Sequence, residues 1–414
     1  MTRHLASLFF CLHIFFLSWS SVLRISDWAP LPLVLLLMTV LFLLGGCLVQ
    51  FWSEKPVRLS FYPFDWLIII ALCLMAANVI FLPTANGGNY ILAYAVVFGS
   101  YLLLLMFGSR ALAIGEILRA NYYGINFVCV FVVLEVIGQM VVGTNIFEWI
   151  PRTREATAVV TVGMSRAYGL STEPTQVGNY FCSFFPFAIY YASRYTQFNI
   201  KLYIFLLFFA SVLTFSAAMF VVGISSLCLY FVLVKDKANF LRNSFWVLFA
   251  AAVGIVVLVT YLGLSDILLG ALSTITDKIS LQSTGKSTSE RLLLLEAGLN
   301  DIANNPLFGA GLGAASSKGL MSNINWYVFL AVEAGLVIVC CYVFWFGIHF
   351  FHAYINFVKT KNPIYLVCAV SIFGSMAYLV FVSTFQNLYL LSAIIIYRLF
   401  LASSLNLRRE KVEC

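Results

Sequence analysis

The sequence predicts an all-α polytopic membrane protein, on three observations: its composition, the length of its apolar runs and the placement of its basic residues. Hydrophobic residues make up 62% of the 414 and charged residues only 10%, where a soluble globular domain carries about 25% charged residues. A water-soluble core cannot absorb that much apolar surface, so lipid has to be the solvent. The runs approach the roughly 20 residues a helix needs to cross a hydrocarbon layer. They do not alternate over about ten residues as barrel strands do. A helix also satisfies its own backbone hydrogen bonds where no water can.

In chain order the apolar runs fall near 5–23, 31–51, 65–83, 91–108, 124–142, 178–194, 201–214, 217–234, 245–264, 326–348, 364–383 and 387–403. That makes about twelve spans. The first, Leu5 to Leu23, lacks a small-residue cleavage site and reads as a span, not a removed leader. The pair 201–214 and 217–234 requires a tight turn around Thr214-Phe215-Ser216. No soluble domain, repeat or low-complexity tract divides the chain, so residues 1–414 read as one membrane-embedded domain.

Lysine and arginine set the orientation. With the N-terminus inside, sixteen fall on the inner side and eight on the outer. Seven of the outer eight sit in just two long connections, about 143–177 and 265–325. The short loops therefore follow the positive-inside rule, and both termini read as cytoplasmic. The net charge of +7 is accounted for by those loops, and nucleic acid is not an expected partner. Of ten cysteines, all but the terminal Cys414 lie in or at the ends of apolar runs. No disulfide framework or CxxC metal site follows.

Most other connections are short joints between neighbours, so chemistry is to be sought in the two long ones. The first contains Arg152 and Arg154, then Arg166-Ala-Tyr168-Gly-Leu-Ser-Thr-Glu173-Pro174 leading into a span. Arginine offers a permanently charged planar fork suited to phosphate. The plainer reading of Arg152 and Arg154 is solvated loop charge or contact with lipid headgroups. The second connection holds Ser287-Thr-Ser-Glu290-Arg291 and then an apolar-patterned stretch to Ala303. Ser287 with Glu290 suggests a capping box. Leu292, Leu295, Leu299 and Ile302 share one helical face, so an amphipathic helix is expected, stopped before Pro306. Asn305-Pro-Leu-Phe-Gly309-Ala-Gly311-Leu-Gly313 follows, where glycines let backbone approach a ligand closely.

Gly285-Lys286-Ser287 imitates the tail of a phosphate-binding loop, but its upstream glycine position is Ser280 and no strand precedes it. Within the spans, Glu135, Gln139 and Glu333 are polar groups that suggest a cavity or site. His349 and His352 lie at the inner end of a span and read as interface anchors. Neither long connection contains a histidine, a cysteine or an HExxH pattern, so no protein-bound metal is expected.

Two of these motifs resemble the bacterial O-antigen polymerase and ligase superfamily, the Wzy-type polymerases and their ligase relatives. Arg166 to Pro174 is similar to an R-x-x-G-x-x-x-E-P-S/T pattern of the polymerases. Arg291, the amphipathic helix, Asn305 to Gly313 and Glu333-Ala-Gly335-Leu336 are similar to an Arg, an N-P-L-x-G-x-G and a downstream E-x-G-L. About a third of the chain carries the resemblance. Ligases of the superfamily place a histidine in an H-N-x-x-L setting before the span after the long loop. Here that stretch reads Ser322-Asn-Ile-Asn-Trp-Tyr327, without one, which favours polymerase over ligase. Ser216-Ala-Ala218 also stands where relatives often have an Arg after the Ser.

The resemblance implies a membrane-embedded glycosyltransferase of the GT-C type, without a cofactor, in the bacterial inner membrane. It would join undecaprenyl-pyrophosphate-linked oligosaccharide units at the periplasmic face, into O-antigen or a related surface polysaccharide. Arg166 and Arg291 would stabilise the leaving pyrophosphate and Glu173 would act as general base; a structural ion pair with an arginine is the other reading of Glu173. Arg152, Arg154, Tyr168, Asn305, Gly309, Gly311 and Glu333 are the candidate substrate contacts. Membrane lipids and a chain-length regulator protein are further candidate partners. The alternatives are an O-antigen ligase acting on lipid A-core and a lipid-linked oligosaccharide flippase. A flippase would place its charges near the midplane of paired repeats, and this chain concentrates them in two connections.

Overall fold

Apolar runs in a solvent that cannot bond to the backbone fold as helices, and the chain is helical nearly throughout what is described. A computed structural model describes residues 2–19, 24–26, 29–53, 61–108, 112–142, 147, 150, 160–161, 164–165, 167, 169–171, 174–214, 216–233, 286–317, 325–382 and 388–410. The helices are α1 (Thr2–Phe15), α2 (Leu31–Trp52), α3 (Trp66–Phe81), α4 (Gly87–Phe107), α5 (Ile114–Val142), α6 (Pro174–Tyr195), α7 (Ile200–Val212) and α8 (Ala217–Leu233). They continue as α9 (Lys286–Asn304), α10 (Ala314–Ser317), α11 (Trp326–Ala334), α12 (Leu336–Thr360), α13 (Pro363–Tyr378) and α14 (Leu388–Glu410). Among the described residues five segments are long and apolar enough to cross a membrane: Leu31–Trp52, Pro63–Phe81, Gly87–Phe107, Ile114–Gln139 and Leu336–Thr360. The expected span 245–264 lies outside the described residues.

The departures from expectation have physical causes. The first run ends as a helix at Phe15 and continues as a 3-10 turn, Leu17–Trp19. Helix α5 starts ten residues before the expected 124. Its extra turns bury Ile117, Leu118 and Asn121, and Glu116 is tied to α1 by the Ser7 hydroxyl at 2.9 Å. The tight turn after α7 forms as expected, with the Thr214 N–H and hydroxyl both donating to the Ser211 carbonyl. The run 326–348 is not one helix. It breaks at Gly335, and the second piece extends to Thr360.

Inside the bundle α6 packs on α13, α5 and α8. Pro186 in the middle of α6 has no N–H to offer Cys182, the residue one turn back. Gly374 of α13 packs directly over that Cys182 carbonyl, and Ser371 donates to the carbonyl of Ser183. A Cβ at Gly374 would lie 2.8 Å from the Cys182 oxygen, so only glycine permits this approach.

One end of the bundle is locked by a buried charge cluster at the start of α3. Arg398 of α14 forks onto Asp65 through two bonds of 3.0 and 3.1 Å, and its guanidinium lies 3.9 Å from the Tyr62 ring centroid. Trp345 Nε1 and the Tyr62 N–H also donate to the carboxylate. His349, expected at an interface, is instead buried in this cluster beside Arg398. Each charge has its counter-charge and its hydrogen bonds, the condition for burying ions at all.

The opposite end gathers the connections. Tyr378, at the close of α13, bonds Ser216 at 3.1 Å at the head of α8 and packs against Gly178 in the first turns of α6. The next residue, Leu379, accepts the Trp326 N–H that opens α11, at 2.9 Å. The chain therefore leaves the first long connection (into α6) and the second (into α11) at the same end.

Candidate functional site

The second long connection is built around the break at Gly335. A helix end leaves backbone groups without partners, and a break inside an apolar run exposes two such ends at once. The segment after α9 supplies what they lack. The carbonyls of Val332 and Glu333, at the end of α11, accept the N–H groups of Ala310 and Gly311 at 2.7 and 3.0 Å. At the start of α12 the Leu336 N–H donates to the Pro306 carbonyl at 2.9 Å. Gly335 holds φ 88 and ψ 165, a region essentially restricted to glycine, and the Leu307 carbonyl occupies the space a side chain would need.

Side chains complete the frame. Glu333 is fully buried, and its Oε1 accepts the Gly313 N–H at 3.1 Å. From α3, Asn78 reaches across: its Oδ1 accepts the Leu312 N–H at 3.1 Å and its Nδ2 donates to the Phe308 carbonyl at 2.6 Å. The Thr84 hydroxyl donates to the Leu312 carbonyl. Gly309, Gly311 and Gly313 all have positive φ. Gly309 faces the Glu333–Gly335 backbone and Gly311 faces the Leu82 carbonyl. These glycines are needed for close approach, but what they approach is the protein's own backbone. Asn305 belongs to the same frame through its carbonyl, which accepts the Gly309 N–H at 3.1 Å, while the residue itself is exposed.

Helix α9 ends before Pro306 as expected, and begins at Lys286, a residue ahead of where Ser287 would serve as its N-cap. Its packed seam differs from the expected face. Leu294 and Ile302 pack toward Phe329 and Val332 of α11, Gly298 is buried between them, and Leu299 is 52% exposed. The packed face therefore runs through Leu294, Gly298 and Ile302, at four-residue spacing, and leaves Leu299 outside it. Arg291 falls in the second turn of α9.

The first long connection enters the bundle at residues 167–171. Ala167, Leu170 and Ser171 are buried. The Gly169 N–H donates to Glu135 Oε2 at 2.7 Å, with Gly169 at φ 53 above Val132. The Ser171 hydroxyl donates to the Ser18 carbonyl at 3.2 Å. Ahead of this a short hairpin pairs Val160 with Ser165 and Thr161 with Met164. Pro174 then opens α6, a position proline suits because its missing N–H has no helical partner to lose. Arg152, Arg154, Arg166, Tyr168 and Glu173 lie outside the described residues.

Sequence reading had singled out Glu135 and Glu333 as unusual charges in spans. It missed Asn78, one polar residue in a run otherwise fit for lipid. An amide inside a span is costly without partners, and that was the signal available.

Residues 202–337 match the family model described as O-antigen ligase. The match, about a third of the chain, runs from α7 through the second connection and stops just past the Gly335 break. It supports the O-antigen polymerase and ligase superfamily and a glycosyl-transferring activity in surface-polysaccharide synthesis. No curated protein matches the chain.

Proposed function

We propose that this protein polymerises oligosaccharide repeat units carried on undecaprenyl pyrophosphate, at the periplasmic face of the bacterial inner membrane. The observation that carries the reading is the convergence of both arginine-bearing connections at one end of the bundle, each fixed to it by a carboxylate within a helix. A membrane-bound pyrophosphate presents its charge at that boundary, where forked arginines bind it best.

In this reading Arg166 and Arg291, with Arg152 and Arg154, hold the pyrophosphate. The bond from the donor's anomeric carbon to the phosphate oxygen breaks, the acceptor hydroxyl oxygen bonds to that carbon, and Glu173 takes the hydroxyl proton. The arginines stabilise the charge that develops on the departing phosphate. Tyr168 and the exposed Asn305 line the sugar path, and Gly309, Gly311 and Glu333 hold its floor in shape.

The family described as O-antigen ligase gives the second reading, transfer of finished glycan to a final acceptor. The absence of a histidine from both long connections weighs against it. Electrophoresis of surface glycan from a deletion strain, with extraction of carrier-linked intermediates, separates the readings. A polymerase loss leaves at most one repeat unit on each acceptor with transfer intact. Long chains stranded on the carrier would establish the ligase, and single units trapped on the cytoplasmic face a flippase. Restoring the gene with Arg166→Ala or Arg291→Ala should fail to restore polymer at unchanged protein level.

A further inference from the structure

We infer that Glu135 is a positioning residue for the reaction: it fixes the segment between Arg166 and Glu173 against the bundle, and so sets where those two side chains stand. The inference rests on the polymerase reading for what is positioned, and on geometry for how.

Glu135 is fully buried in α5, three residues after the core residue Val132. An ionisable side chain there is costly and persists where something specific requires it. Its Oε2 accepts the Gly169 N–H at 2.7 Å, a short bond to a residue 34 positions away. Gly169 sits three residues after Arg166 and four before Glu173. At φ 53 it takes the left-handed backbone conformation that favours glycine, at the point that the carboxylate holds. Val132, one turn earlier on α5, fills the space beneath that turn. The neighbours Ala167, Leu170 and Ser171 are buried on either side, so the anchor lies in packed protein. Pro174 starts α6 directly after Glu173. Glu135 thus holds Gly169, and α6 begins at Pro174, so a described anchor stands on each side of Glu173 in the sequence. A base and a phosphate ligand displaced by about 1 Å lose on the order of a hundredfold in rate, which makes such an anchor worth a buried carboxylate.

The test uses the full-length protein in detergent or nanodiscs with lipid-linked repeat units. Glu135→Ala should lower kcat about 10- to 100-fold with KM little changed. Glu135→Gln, which keeps an acceptor oxygen, should recover most of the rate. Hydrogen exchange read on a peptide covering 167–171 should quicken in the Ala variant and stay slow in the Gln variant, with peptides from α12 and α13 unchanged. Full kcat in Glu135→Ala, or unchanged exchange at 167–171, would overturn the inference. If the Ala variant does not fold, the Gln variant and Glu135→Asp decide: Asp, one methylene short, should lose rate and protection together while Gln does not. Absence of polymer from the wild-type protein would sink the polymerase reading instead, and the exchange measurement would still decide whether Glu135 anchors the segment.

Discussion

The two long connections are fastened by the same device in different surroundings. In each, a glutamate buried in a helix accepts the N–H of a glycine at positive φ: Glu135 with Gly169, Glu333 with Gly313. Glu135 stands on an unbroken helix and reaches its loop through a side chain. Glu333 stands beside the Gly335 break, and its own carbonyl and that of Val332 also bond the loop. Asn78 and Thr84 grip the same loop from the other side. The second connection is therefore part of the framework, since removing it would strip partners from two helix ends. The first is a graft: its described residues are fastened through Gly169 to Glu135 and through Ser171 to Ser18, and its sequence carries three of the candidate arginines. Substitutions at the second should show first as lost stability, and those at the first as lost rate.

The largest effect is expected where the framework has no alternative. Gly335→Ala combines a glycine-only backbone with a collision at the Leu307 carbonyl and should cost about 3 kcal/mol or more. Thermal unfolding in detergent and the level of folded protein in membranes measure it, and a wild-type melting curve would mean that the break is not built as described. Next comes Glu333→Ala, which leaves the buried Gly313 N–H without its acceptor at about 2–3 kcal/mol. Glu333→Gln keeps an oxygen in place and should stay within about 1 kcal/mol. If instead the Gln variant melts early and the Ala variant does not, the carboxylate is not an acceptor for this loop.

Asn78→Ala removes one acceptor and one donor between α3 and the loop. Hydrogen bonds between helices in membranes average well under 2 kcal/mol, so a loss of about 1–2 kcal/mol is expected, with faster exchange confined to 308–313. Slower unfolding, or exchange altered only near 169, would contradict the division between framework and graft. The smallest effect belongs to Ser171→Ala, which gives up a single bond to Ser18. About 0.5 kcal/mol is expected, together with a measurable fall in polymer length or rate. A large stability loss there would show that the first connection is framework too.

Much of this was legible from local pattern. The apolar runs, the tight turn at Thr214, the helix stopping before Pro306 and the two connections worth searching all follow from hydropathy, charge and proline placement. So does the suspicion attached to Glu135 and Glu333, because a carboxylate in lipid needs a reason. Not legible were the break at Gly335 inside the run 326–348, the clamp from Asn78, the burial of Gly298 in α9, and His349 joining Asp65 and Arg398. Lipid acts on each helix separately, so hydropathy reads apolar runs one at a time and the sequence alone determined where those runs lie. Hydrogen bonds and close approaches need a partner at a defined distance. Asn78 meets Leu312 across 234 positions, Arg398 meets Asp65 across 333, and the Gly335 break survives only because residues 306–311 bring donors and an acceptor to its two ends. Those pairings exist only once the helices have packed, so the tertiary structure alone decided them.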